Sequence, residues 1–238
     1  MEECIAIIGA MDEEVEGLSQ ALSQVTQVQS PRLDIPIIQG RLGNKDVVVV
    51  RCGIGKVNAA LATQCVIDHY NPSAILNSGV AGGLSPTAKI GDLVVGTASL
   101  QHDFDVRKFG YPRGVVPRLA ASTFTADPHL LEAATLAANK ELACNQVHQG
   151  LIVSGDQFIS SVEQKQDILA FFPEAMCAEM EGAAIAQVAS VNRIPHLIMR
   201  AISAQADSTA PHDFDQYLLD VIPVLNTVIQ KLLALLNG

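Results

Sequence analysis

The sequence predicts an α/β protein in which a three-layer α/β/α sandwich encloses a central mixed sheet. Apolar runs of strand length alternate with helical segments along the 238 residues, which is typical of this class. Strand-like segments at 35–39 and 47–51 are joined by a short turn, so part of the sheet runs antiparallel. Apolar residues make up 49% of the chain and are evenly spread, which predicts one domain over residues 1–238.

The composition argues against several classes of partner. The formal net charge is -10 and basic residues do not cluster, so neither nucleic acid nor an anionic membrane is an expected partner. The five cysteines include no CxxC pair and the six histidines are scattered, which disfavours a metal site and indicates a reducing compartment. The acidic amino terminus is unlike a signal peptide, and no segment approaches the roughly 20 apolar residues of a membrane span. We expect a cytoplasmic protein that binds a small molecule.

The first predicted strand, residues 4–8, is a continuous apolar run that ends at Gly9. A helix follows it to about residue 23. Its first acids, at positions 12–14, either begin the helix, where the helix dipole favours negative charge, or place one carboxylate in a pocket. Both interpretations stay open from these residues alone.

Two glycine-rich turns follow later strands. The strand at 47–51 leads into a glycine turn at 52–55, and a helix then runs to about residue 70. This turn matches neither GxxxxGK[ST] nor GxGxxG, so a tight strand-to-helix turn is favoured over a phosphate site. The strand at 74–77 ends in SGVAGGL at 78–84, whose glycines allow the backbone to approach a neighbouring element or a flat ligand.

A long irregular segment, residues 102–117, follows a strand that begins near Gly91. A loop of this length in a compact domain is usually functional or packed against another subunit. Its aromatic residues Phe109 and Tyr111 favour contact with a partner subunit.

The second half of the chain continues the alternation of helix and strand. A helix at 127–141 is capped by Asp127, and a strand at 149–154 leads to Phe158, which either stacks on a base or covers the core. The final helix, at 213–236, carries one long apolar stripe.

The stretch 177–204 organises the rest of the chain. It predicts a short strand, a turn at Glu179 and Glu181, a small-residue helix and a second buried strand. The two glutamates either begin the helix or sit at a strand end, where α/β sheets place their ligands, with Arg200 and Ser203 emerging nearby. Carboxylates accept hydrogen bonds from sugar hydroxyls and an aromatic ring faces a base, so this set of groups fits a nucleoside.

Six motifs resemble those of the bacterial 5'-methylthioadenosine/S-adenosylhomocysteine nucleosidases, in the same order: GAMDEEV at 9–15, GIGKVNAA at 53–60, SGVAGGL at 78–84, VSGDQFI at 153–159, AEMEGAAIA at 178–186 and RAIS at 200–203. The resemblance implies a nucleoside phosphorylase-like fold and a homodimer. It also implies cofactor-free hydrolysis of the N-glycosidic bond of these two nucleosides, which yields adenine and a 5'-thioribose product in methionine salvage and the methyl cycle.

The resemblance assigns roles to particular residues. Glu14 would be the general base that activates water, Glu181 would bind the ribose hydroxyls, and Arg200 would keep that carboxylate ionised. The other expected substrate contacts are Met180 beneath the sugar, Phe158 and Ile159 at the adenine, Ala81, Gly82 and Ser203 beside the ligand, and Met11, Ile54 and Phe214 at the alkylthio group. The residues expected to reach the partner subunit's pocket are Val106, Phe109 and Tyr111.

Two positions depart from the family pattern: Val80, where some relatives have a serine, is tolerated variation, and the other departure is decisive. The family carries an aspartate after RAIS that protonates adenine N7, whereas this chain has Ala204, and Asp207 matches a different family aspartate. We expect a chain that binds methylthioadenosine but hydrolyses it slowly. Because the other motifs are intact, an engineered inactive variant is favoured over a diverged protein.

Two other functions remain open. A nucleoside phosphorylase of the same fold would use an arginine and a serine to bind phosphate, where this chain has Asn77 and Val80. A non-catalytic binder of adenosine derivatives would explain Ala204.

Overall fold

Residues 4–29, 35–207 and 210–236 are described by the computed structural model. The strands are β1 Cys4–Gly9, β2 Ser23–Gln29, β3 Pro36–Leu42, β4 Lys45–Arg51, β5 Ala74–Gly83, β6 Leu93–Gln101, β7 Thr123–Thr125, β8 Val147–Ser154, β9 Ala175–Glu179 and β10 His196–Gln205. The α-helices are α1 Asp12–Ala21, α2 Lys56–Tyr70, α3 Pro128–Ala138, α4 Val162–Phe171, α5 Gly182–Val191 and α6 Ala210–Leu235. Two single 3-10 turns lie at Arg107–Phe109 and Cys144–Gln146.

The strands form one mixed sheet in the order β10-β6-β8-β9-β5-β1-β4-β3-β2, with β7 paired to β6. Strands β1, β4, β5 and β10 run parallel to their neighbours in this group, whereas β3 pairs antiparallel with β4. Strand β10 also pairs with β5, so the strands from β10 to β5 close into a ring. The predicted mixed sheet is confirmed, and its closure brings β5, β9 and β10 together at one place.

Helices cover both faces of the sheet, which confirms the three-layer sandwich. Helices α1, α3 and α6 pack on one face through a core that includes Leu18, Ala134 and Val228. Helices α2 and α5 pack on the other face around Val66 and Ile185. Burial of these apolar side chains is the main driving force that holds the layers together.

Several boundaries differ from the sequence expectations. The polar strand β2 was expected to belong partly to the first helix, and β7 has only three residues, so neither showed a strand pattern. Strand β5 continues through the glycine segment to Gly83, because these glycines pair with β9 and β10. Helix α6 begins at Ala210 rather than at 213, and its Pro211 lies in the first turn, where proline is tolerated.

Helix α6 also departs from the expectation on hydrophobic length. Its segment Gln216–Leu235 has 20 residues with a mean hydropathy of 1.6, so by length and composition it could cross a membrane. Half of this segment is buried, however, and Leu225, Val228 and Leu232 lie in the core shared with α1 and α3. These contacts are those of a core helix.

Candidate active site

Six strand ends and helix α6 surround a cavity of about 410 Å³. The chain enters it after β1, β4 and β8 and at the ends of β5, β9 and β10. Strands β1, β4, β5 and β10 are parallel and bring their carboxyl ends to one edge, whereas β9 and its parallel neighbour β8 run antiparallel to β5 and reach the cavity through the closure of the sheet. Twelve of the residues predicted from the sequence line this cavity: Met11, Glu14, Ile54, Ala81, Gly82, Phe158, Ile159, Met180, Glu181, Ser203, Ala204 and Phe214.

Glu14 is fixed by backbone amides from two elements. Its Oε2 accepts hydrogen bonds from the amides of Ala10 and Met11, at 2.7 and 3.1 Å, and its Oε1 accepts one from Val80 at 3.0 Å. The carboxylate of Glu14 therefore accepts hydrogen bonds from the free amides just before α1, as a helix-initiating acid would, and it also bonds to the amide of Val80 on β5. Burial raises the pKa of Glu14 above its ordinary value, while Arg200 and the three amides oppose that shift.

Glu179 lines the cavity and anchors a buried ionic network. Its carboxylate accepts hydrogen bonds from Arg200, from the Ser154 hydroxyl and from the amides of Glu181 and Gly182. Burial acts to raise the pKa of Glu179, but Arg200 and these donors lower it below the ordinary value. Arg200 Nη2 also donates to Asn77 Oδ1 at 2.7 Å, so the guanidinium is held from two strands.

Glu181 points into the cavity from the start of α5. Its Oε1 accepts a hydrogen bond from the Gly55 amide at 2.8 Å, and its Oε2 lies 3.9 Å from Arg200 Nη2. Burial and the neighbouring Glu179 raise the pKa of Glu181 to about 7, despite Arg200. A carboxylate with so few donors has free lone pairs to accept hydrogen bonds from a ligand.

Aromatic and aliphatic side chains form the outer wall. The rings of Phe158 and Phe214 meet edge to face, with centroids 5.9 Å apart and planes at 87°. Phe158 and Ile54 are about half exposed, so apolar surface remains open at the cavity mouth. Such a wall suits a flat ring and an apolar substituent.

The wall at the end of β10 carries small side chains. Ser203 and Ala204 lie beside Ala178 and Ala210, and all four are buried. Among the described residues, the carboxylates that line the cavity are Glu14, Glu179 and Glu181. None of these three is on β10, so this wall offers no described carboxylic acid to a ligand.

The model of the phosphorylase superfamily matches residues 4–237. The 5'-methylthioadenosine/S-adenosylhomocysteine nucleosidase of Staphylococcus saprophyticus is 39% identical over 229 residues, which cover 96% of this chain and 98% of the relative. This chain belongs to that nucleosidase family.

Solved structures of this nucleosidase family share the fold. The Neisseria meningitidis nucleosidase, in complex with methylthio-immucillin-A, has a TM-score of 0.92 at 40% identity, covering 97% of this chain and 98% of that one. The Streptococcus pyogenes nucleosidase, in complex with 5-methylthiotubericidin, has a TM-score of 0.94 at 30% identity, covering 100% and 99%. The predicted fold and family are therefore confirmed.

Four residues assigned by resemblance to the nucleosidase family do not line the cavity. Arg200 is absent from the cavity lining and donates to Glu179, and its Nη2 also forms an ion pair with Glu181 Oε2 at 3.9 Å, so its expected effect on Glu181 acts from outside the cavity. Val106, Phe109 and Tyr111 belong to the separate loop after β6.

Six lining residues have no role assigned by the resemblance: Ala10, Val80, Gln157, Ala178, Glu179 and Ala210. Of these, Glu179 was recognised in the sequence as one of two acids at a strand end, where α/β sheets place their ligands. No group of three or more His, Cys, Asp or Glu side chains suited to a metal occurs in the ranges that the structure describes.

Proposed function

We propose that the cavity binds 5'-methylthioadenosine and S-adenosylhomocysteine and is built to hydrolyse their N-glycosidic bond. The observation that carries this proposal is the position of Glu14. It is a buried carboxylate, held by three amides, and it shares one cavity with Glu181. The nucleosidase names and bound nucleoside analogues of the relatives support the same substrate class.

In this mechanism, the roles of the two glutamates follow from their surroundings. Glu14 takes a proton from a water molecule, whose oxygen bonds to ribose C1' as the bond from C1' to adenine N9 breaks. A raised pKa makes Glu14 a stronger base than an ordinary carboxylate. Glu181 accepts hydrogen bonds from the ribose hydroxyls, while Phe158 and Phe214 face the base and the alkylthio group.

Ala204 leaves the departing base without a proton donor on its wall. The electron pair of the broken bond moves onto the purine, and protonation of that purine in the transition state typically contributes about 10²–10⁴ in rate. We propose that this chain binds its nucleoside and turns it over slowly. Intact motifs around the site favour an engineered change over natural divergence, and the chromosomal codon for position 204 distinguishes the two.

Of the two alternative functions, phosphorolysis is disfavoured by the charges at the site, whereas non-catalytic binding is supported by Ala204. A phosphorylase would bring a phosphate anion beside Glu14, and the buried cation Arg200 is already engaged by Glu179 and Asn77. A non-catalytic binder of adenosine derivatives is supported by Ala204, and it differs from a slow enzyme only in having no turnover.

We further propose that the chain is a cytoplasmic homodimer. Val57 and Phe109 are 70% and 81% exposed, and Leu61 and Tyr111 are also exposed, and exposed apolar side chains of this size are typical of surfaces that contact another subunit. All five cysteines are free thiols, as is typical of proteins in a reducing compartment.

The proposal is tested by measuring the binding of 5'-methylthioadenosine and the release of adenine, with and without phosphate. We expect binding by the unchanged chain, and a gain of about 10²–10⁴ in hydrolysis for Ala204→Asp that does not depend on phosphate. Adding Glu14→Gln to Ala204→Asp should remove the gain. Absence of binding would contradict the proposed substrate, and absence of a gain would contradict the assignment of position 204.

A further inference from the structure

Three strand exits are tied together by an ionic network beside the cavity. Lys56 Nζ donates to Asp103 Oδ1 at 2.6 Å and to Gln101 Oε1 at 3.0 Å. The other oxygen of Asp103 accepts a hydrogen bond from the Asp156 amide at 3.0 Å, and Asp156 Oδ1 accepts one from the Lys56 amide at 2.8 Å. Lys56, Asp103 and Asp156 thus form a closed ring of contacts, which we call the strand-exit brace.

The strand-exit brace joins segments that are far apart in the chain. Lys56 begins α2 directly after the turn that follows β4, Asp103 follows β6, and Asp156 follows β8. Asp156 also caps the first turn of α2 from 100 residues away, a position where an acid is favoured by the helix dipole.

Both ends of the strand-exit brace lead directly into the cavity. On one side, the Gly55 amide next to Lys56 donates to Glu181 Oε1. On the other side, Asp156 immediately precedes Gln157, Phe158 and Ile159, which line the cavity. None of the three brace residues lines the cavity itself.

We propose that the strand-exit brace positions the 157–159 segment and the Gly55 amide relative to each other, and so sets the affinity for the base of the nucleoside. Lys56, Asp103 and Asp156 are positioning residues in this proposal, because they act through Phe158 and Glu181. The identity of the ligand in this proposal rests on the proposed function, whereas the effect of the strand-exit brace on residues 157–159 does not.

The environment of the strand-exit brace favours a fixed geometry. The side chains of Lys56 and Asp103 are only 16% and 20% exposed, so their attraction is less screened than that of a surface pair. Burial acts to raise the pKa of Asp103, but Lys56 and the Asp156 amide lower it below the ordinary value. Residues 155–160 have no helix or strand of their own. The amides of Gly155 and Ser160 donate hydrogen bonds at the two ends of this segment, to Glu179 and Gln164, and the brace adds the contacts of Asp156.

The first test is hydrogen exchange in peptides that cover 155–160, in the full chain without ligand. Asp103→Ala removes both acceptors, and Lys56→Met keeps the aliphatic stem while it removes the ammonium. We expect either change to speed exchange of this segment about tenfold. Asp105→Ala is the matched control, since Asp105 lies two residues away and binds Arg107 on the same loop.

The second test is the affinity for 5'-methylthioadenosine, measured by titration calorimetry. Asp103→Ala should weaken binding about tenfold, because a misplaced contact surface loses much of its interaction. The same change in a Phe158→Ala background should weaken binding less than about twofold, since coupled residues are not additive. Additive losses are what a general loss of stability would produce.

The outcomes separate this proposal from the proposed function. Exchange and affinity equal to those of Asp105→Ala would overturn the strand-exit brace, as would faster exchange with unchanged affinity. If the unchanged chain fails to bind the nucleoside, the proposed function is wrong, and hydrogen exchange alone then decides whether the brace orders the loop.

Discussion

Arg200 donates to Glu179 through both Nε and Nη2, whereas the same Nη2 lies 3.9 Å from the nearer oxygen of Glu181. The guanidinium therefore forms hydrogen bonds with Glu179 but only a longer ion pair with Glu181. The pKa of Glu179 falls below its ordinary value despite burial, and the pKa of Glu181 rises to about 7 through burial and the charge of Glu179. The acid that faces the ligand is thus the one that titrates near neutral pH.

Replacing Arg200 should destabilise the fold. Arg200→Met leaves Glu179 buried without its cation, and breaking a buried pair in this way typically lowers the free energy of unfolding by about 3–5 kcal/mol. Urea denaturation measures the loss. Adding Glu179→Gln, which removes the stranded charge, should recover part of it, and equal stability of Arg200→Met and the unchanged chain would contradict this role.

The contribution of Glu181 to the stability of the ligand-free chain should fall as pH rises from about 4.5 to about 7. In this window, folded Glu181 holds a proton that the unfolded chain has released, so each step up in pH favours unfolding. Glu14, whose pKa is also raised, acts in the same direction, and the lowered pKa of Glu179 acts only at more acidic pH. His102 and His196, whose pKa values burial lowers, act in the opposite direction. Denaturation across this range measures the slope for the unchanged chain and for Glu181→Gln, and the slope of the variant should be the more positive. An unchanged slope in Glu181→Gln would assign the effect to another group.

Gly79 provides the space that Glu14 occupies. A Cβ at position 79 would overlap Glu14 Oε1 and come within 3.1 Å of Arg200 Nη1. Gly79→Ala should therefore displace the proposed base and lower adenine release by about 10² or more in an Ala204→Asp background. Gly150→Ala is a matched control, since its Cβ would meet the flexible Met176 away from the cavity. Equal activity of the two variants would show that Glu14 tolerates the shift.

Substrates that need no proton on the leaving group should escape the defect at Ala204. In the 4-nitrophenyl glycoside of 5-methylthioribose, the bond from the anomeric carbon to the phenolic oxygen breaks, and nitrophenolate leaves as an anion without being protonated. We expect the rate difference between this chain and Ala204→Asp to shrink from about 10²–10⁴ with methylthioadenosine to below about tenfold. Release of nitrophenolate is followed by absorbance. Glu14→Gln should slow both substrates, and an undiminished difference would argue against a missing acid.

The sequence by itself determined the layers, most elements and twelve of the cavity residues. Period-2 and period-3.6 patterns depend on local residues, and the glycine and acid motifs lie directly beside the strand ends. The position of Ala204 in the cavity wall was predicted from the resemblance to the nucleosidase family, which has an aspartate at this place, and so were most of the other cavity residues. Local pattern did not identify β2 and β7, which are short or polar edge elements.

Only the tertiary structure decided how the charged groups are paired. Arg200 and Glu179 are separated by 21 residues, and Lys56 and Asp103 by 47, so no local spacing connects them. The closure of β10 onto β5 places Asn77 beside Arg200 and directs the guanidinium to Glu179 rather than to Glu181. Because pKa values depend on burial and on distances of a few ångströms, the different states of Glu14, Glu179 and Glu181 arise only when the chain is folded.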